Sequence, residues 1–112
     1  MKSFKRGHVF SLDGVVFDPD QEHIDTLYSN RNTRIKRILS KGHITPPGQW
    51  YDQKEDEWVI LMQGKASLEF DHGNISHLKA GDHILLNAGI RHRVSYTSNN
   101  PPCIWLAVYV EL

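Results

Sequence analysis

From Thr33 to Val110 the chain is a series of short apolar or alternating runs, each cut off by Gly, Asn or Pro. That punctuation is the strongest constraint on the fold. None of these runs suits a helix standing alone, whereas strands need only about 4–8 residues. Strands are expected over residues 33–40, 58–62, 66–70, 75–78, 83–86, 92–97 and 104–110. The loop Thr45-Pro46-Pro47-Gly48 cannot continue a ladder, and Asp71-His72-Gly73-Asn74 suits a hairpin turn. Period-two alternation puts Ala66, Leu68 and Phe70 on one face of their strand, and His92, Val94 and Tyr96 on one face of theirs. Short strands at this spacing make an all-β sandwich or barrel.

Residues 1–32 are less regular. Residues 15–17 and 23–28 are candidate strands, with the turn Asp18-Pro19-Asp20 between them, and Glu22 to Leu27 is also a weak helical candidate. We divide the chain into N-terminal strands at 1–32, suited to pairing two copies as a homodimer, and a barrel at 33–112. A chain of 112 residues fits one domain and buries a core without disulfides.

Charge narrows the function classes. The 13 basic and 13 acidic residues cancel, so nothing favours nucleic acid electrostatically. The cluster Arg31, Arg34, Lys36 and Arg37 is expected on an exposed strand face. No run approaches the roughly 20 apolar residues of a membrane span. Cys103 is the only cysteine, which fits a reducing compartment, and a cytoplasmic location is expected.

Two linked motifs carry the chemistry. Glu57 is followed by six residues and then Gly64; Gly48 stands upstream. Gly81 is followed by five residues, Asn87, then Gly89, then His92, with Tyr96 four further on. These segments resemble the cupins, small jelly-roll β-barrels whose two motifs lie either side of a hairpin. The resemblance covers residues 43–110. In cupins the first motif carries two histidines before the glutamate. Here those positions fall on Tyr51 and Gln53, or on Trp50 and Asp52, depending on the gap. Asn87 and Tyr96 replace a usual proline and asparagine.

The resemblance implies a divalent metal (Zn, Fe, Mn or Ni) held by Glu57 and His92, with Gln53 and Asp52 as weaker donors. Tyr51, Gln53 and Glu57 share one parity and face inward together; Asp52 points the other way unless a bulge intervenes. One carboxylate, one imidazole and an amide make a weaker set than three histidines, so a metal-free site is the other expectation. Glu57 is also the candidate general base. Trp50, Tyr51 and Trp105 are expected to line a ligand pocket, with Tyr109 on the same strand face as Trp105. Two functions follow from this: a metal-dependent enzyme acting on a small organic molecule, or a non-catalytic small-ligand or carbohydrate-binding protein.

Overall fold

A computed structural model describes residues 2–112. Eight antiparallel strands form two facing sheets: β1 (His23–Ser29), β2 (Thr33–Ser40), β3 (Glu55–Gln63), β4 (Lys65–Phe70), β5 (Ile75–Lys79), β6 (His83–Leu86), β7 (His92–Thr97) and β8 (Cys103–Glu111). One sheet has the order β1-β2-β8-β3-β6 and the other β5-β4-β7. This is an all-β sandwich, as the strand pattern leads one to expect, and it is the small jelly roll that the resemblance to cupins implies. The two sheets form separate ladders. Among the described residues there is no helix, and so none long and apolar enough to cross a membrane.

The core lies between the sheets. Val59 and Leu61 of β3, Leu68 and Phe70 of β4, Leu86 of β6 and Trp105 and Ala107 of β8 meet there. Each apolar side chain taken from water in this way contributes about 1.5–3 kcal/mol. Alternation explains who enters: in β3, Glu57, Val59 and Leu61 are buried while their neighbours are less so.

The candidate strand at 23–28 is present as β1, which pairs with β2 from His23↔Leu39 to Ser29↔Arg34. Its ladder outweighs the weak helical alternative over 22–27, too short to stand alone. Three expectations need correction. Residues 15–17 form no strand, and Val16 is exposed. Tyr96 does not share the inner face with His92 and Val94. Ser67 pairs with Tyr96 and Leu68 with Val94, so Ser95 is the extra residue of a bulge. The bulge inverts the alternation, turning Tyr96 out (50% exposed) and Thr97 in.

The third correction concerns Arg37, which is not on an open basic face. It is 8% exposed. Its Nε and Nη2 donate to Asp25 Oδ2 at 2.9 and 2.7 Å, and Nη1 donates to the carbonyls of Val9 and Ser11. A guanidinium with five donors can satisfy several acceptors at once, and here it ties the N-terminal segment to the sheet. Arg34 pairs with Glu55 and lies 5.0 Å from the Tyr109 ring centre. Burial works against the charge of Asp25, but hydrogen bonds from Arg37 and His23 outweigh it and hold the carboxyl below its ordinary range.

Candidate functional site

Between the sheets lies a cavity of about 180 Å³. Ile24, Ile38, Val59, Leu68, Leu86 and Val94 supply its apolar wall. Glu22, Tyr51, Gln53, Glu57, His92, Trp105 and Tyr109 supply its functional groups. At about 30 Å³ per water the volume corresponds to roughly six waters, which suits a small ligand rather than a drug-sized one.

Backbone pairing explains how the inward set is chosen. Tyr51 and His92 form an isolated bridge, with Tyr51 N donating to His92 O at 2.7 Å and His92 N to Tyr51 O at 3.1 Å. That fixes Tyr51 inward beside His92, with ring centres 5.6 Å apart. Two residues on, Gln53 turns inward as well. Its carbonyl accepts from Gly89 N at 2.9 Å, and Asp56 Oδ1 accepts from Ala88 N at 2.7 Å. Gly89 has φ +84°, a conformation that favours glycine. Gly64 is needed for a different reason: at φ +91° an added Cβ would sit 2.8 Å from Ser98 Oγ and 2.9 Å from Cys103 Sγ.

The residues expected at the site divide clearly. Gln53, Glu57 and His92 come together. Gln53 Nε2 donates to Glu57 Oε1 at 2.9 Å, and His92 Nε2 lies 3.9 Å from the same oxygen. Tyr51 and Trp105 also line the cavity. Asp52 is exposed and outside it, because no bulge separates it from Tyr51 and Gln53 and the alternation holds. Trp50 has the same outward parity and packs near Arg91, 6.0 Å from the ring centre.

Glu22 is the site residue that the sequence does not disclose. Its Oε2 accepts a hydrogen bond from Ser40 Oγ, and Ser40 Oγ accepts from Trp105 Nε1 at 3.2 Å. Glu22 lies in polar sequence with no period-two contrast; it reaches the cavity only because β1 joins β2. Its parity with Ile24, which lines the same wall, is the one available signal.

His92 is 4% and Glu57 8% exposed. His92 Nδ1 lies 3.1 Å from the Ile90 carbonyl, which can only accept, so Nδ1 carries a proton and Nε2 is presented to the cavity. Nε2 makes no hydrogen bond among the described residues. A group that donates to both fits the space between Nε2 and Glu57. Burial raises the phenols of Tyr51 and Tyr109; the charge of Glu22 adds to the first and that of Glu57 to the second. Both stay neutral donors at ordinary pH.

The sequence profile described as a cupin domain matches residues 37–109, well over half of the chain. The chain belongs to the cupin family. It is 37% identical to the crystal structure of a candidate mannose-6-phosphate isomerase from Ralstonia eutropha JMP134, over 96% of this chain and 99% of that one, with a TM-score of 0.88. A cupin superfamily protein from Desulfitobacterium hafniense DCB-2 aligns over 98% of this chain and 94% of its own, at 14% identity and TM-score 0.75. An RmlC-like cupin from Desulfovibrio desulfuricans aligns over 97% and 100%, at 13% identity and TM-score 0.70. Comparison with curated proteins gives no match. The last two structures show the fold alone.

Cupins commonly bind metal ions. This cupin's donors do not fit a three-ligand ion. Among the described residues no three His, Cys, Asp or Glu side chains are placed to hold one. The cavity offers one imidazole and the carboxylates of Glu57 and Glu22, which are not placed to converge on one ion, and the Gln53 amide nitrogen already occupies Glu57 Oε1.

Proposed function

We propose that this cupin is a small-molecule enzyme of acid–base type, with Glu57 and His92 as its working pair. The observation behind this reading is the buried pair itself: Nε2 unpartnered, 3.9 Å from Glu57 Oε1, facing a cavity with apolar walls. Such a pair suits proton transfer beside a carbonyl. With the imidazole's one proton on Nδ1, His92 Nε2 takes the proton from the carbon next to the carbonyl, the Glu57 carboxylate steadies the imidazolium that forms, and the neutral phenol of Tyr51 donates a hydrogen bond to the enolate oxygen. The enolate returns to carbonyl when Nε2 gives the proton back to carbon. Gln53 orients Glu57 by its hydrogen bond, and the apolar walls exclude bulk water. The resemblance to the candidate isomerase is consistent with this chemistry but does not choose the substrate.

The test is incubation in D2O with small α-hydroxy and α-amino aldehydes and ketones, following deuterium wash-in by NMR. Wild type is expected to catalyse exchange on members of the panel. Glu57→Gln and His92→Gln are expected to lower it by about 10²–10⁴-fold while the fold is retained. Exchange unaffected by either change would overturn the reading. So would a stoichiometric first-row metal that purifies with the protein and is lost in His92→Gln.

A second reading is non-catalytic binding, favoured by the aromatic wall of Tyr51, Trp105 and Tyr109. Saturable binding with no exchange on any panel member would select it. Pairing of two copies along the edge strand β1, where Leu27 and Tyr28 are half exposed, is tested by sedimentation; a clean monomer excludes it.

A further inference from the structure

We propose that the molecule this cavity takes carries a protonated amine seated at Glu22, and that phosphate esters are rejected. This deepens the reading above and rests on its placing the ligand in this cavity, though not on turnover.

Charge inventory is the first support. The cavity is lined by the carboxylates of Glu22 and Glu57 and by no Lys or Arg. The nearby guanidinium groups are engaged elsewhere. Arg34 is held by Glu55, Arg37 by Asp25, and Arg93 by Glu69 and the Thr45 carbonyl. A phosphate dianion would enter beside two carboxylates with no cation to receive it. An ammonium would relieve both.

Hydrogen-bond inventory is the second support, and it is independent of net charge. Glu22 is pre-positioned by Ser40, which is fully buried and itself held by Trp105 Nε1. That bond uses Oε2 and leaves Oε1 without a hydrogen-bond partner among the described residues. His92, 4% exposed, likewise presents Nε2 to the cavity without one. The open positions are therefore acceptors in excess. An ammonium brings three donors and no acceptor; a phosphate dianion brings acceptors only. The apolar wall at Ile24, Ile38 and Trp105 then suits a short hydrocarbon stem.

Propylammonium, 1-propanol and propyl phosphate differ in the head group alone. Binding of each is followed through the indole N–H resonance of Trp105, assigned by its loss in Trp105→Phe. Propylammonium is expected to shift it saturably and to bind at least about tenfold tighter than 1-propanol, with no binding by propyl phosphate. Glu22→Gln keeps an acceptor for Ser40 and is expected to bring ammonium and alcohol within about threefold. The proposal is overturned if propyl phosphate binds as tightly as propylammonium, or if propylammonium shows no saturable shift. An ammonium preference unchanged by Glu22→Gln overturns it too. Should that variant not fold, the wild-type comparison decides by itself. Ammonium preference without hydrogen exchange would sink the catalytic reading and leave this one standing; exchange without the preference would do the reverse.

Discussion

Ser40→Ala removes one buried hydroxyl with two bonds. It accepts from Trp105 Nε1 at 3.2 Å and donates to Glu22 Oε2, and Ser40 has no exposed surface. The carboxylate borders the cavity and recovers water when the hydroxyl goes. The indole N–H has no such recourse, because Trp105 is buried. An orphaned buried donor costs about 1–3 kcal/mol, so the expected loss is about 2 kcal/mol. For a domain of this size that lowers Tm by about 8 °C. The assay is thermal or urea unfolding of Ser40→Ala in two backgrounds, wild type and Trp105→Phe. Removing both partners is far less costly than removing one, so in the Trp105→Phe background the Ser40→Ala cost is expected to fall below about 0.7 kcal/mol. An equal cost in both backgrounds would refute the relay from indole to carboxylate, and with it the pre-positioning of Glu22.

Three further outcomes follow from the fold and the site. Arg37→Met leaves Asp25 and the carbonyls of Val9 and Ser11 without their donor, and a loss of about 2 kcal/mol is expected with faster amide exchange over residues 9–12; unchanged exchange there would contradict the tie. Gly64→Ala combines a φ of +91° with contacts under 3 Å and should cost at least about 2 kcal/mol, so a near-neutral effect in urea unfolding counts against the close approach. Burial first, and then the Glu57 charge, raises the phenol of Tyr109 in the folded state above its unfolded value of about 10. Its contribution is therefore complete below about pH 10 and falls away as pH rises toward the folded value. Tyrosinate absorbance should show Tyr109 ionising only with alkaline unfolding, and Glu57→Gln should let it ionise earlier; a Tyr109→Phe difference spectrum checks both.

The seven strands from Thr33 onward are legible because their period of two is strong and their ends are chemically marked. β1 is marked only as a candidate beside a weak helical alternative, since Glu22-His23-Ile24-Asp25 offers no contrast between two faces. Alternation also misleads wherever a bulge intrudes, as at Ser95, because nothing in Val94-Ser95-Tyr96 announces the extra residue. Glu57 and His92 could be found through glycine spacing, and the structure gives that spacing a cause: Gly64 lies against Cys103, and Gly89 secures Gln53. Parity correctly separates Tyr51 and Gln53 from Asp52. It misses Glu22, whose place depends on a strand pairing that the local pattern does not encode. Arg37 misleads for the same reason, since the segment that covers it lies far away in sequence.

The most direct test of the central claim is the imidazole nitrogen spectrum of His92, assigned by its loss in His92→Gln. Nδ1 is expected to be protonated and held by the Ile90 carbonyl, with an Nε2 resonance that moves on Glu57→Gln. A protonated Nε2 opposite an unprotonated Nδ1, indifferent to the loss of the Glu57 carboxylate, would contradict that claim.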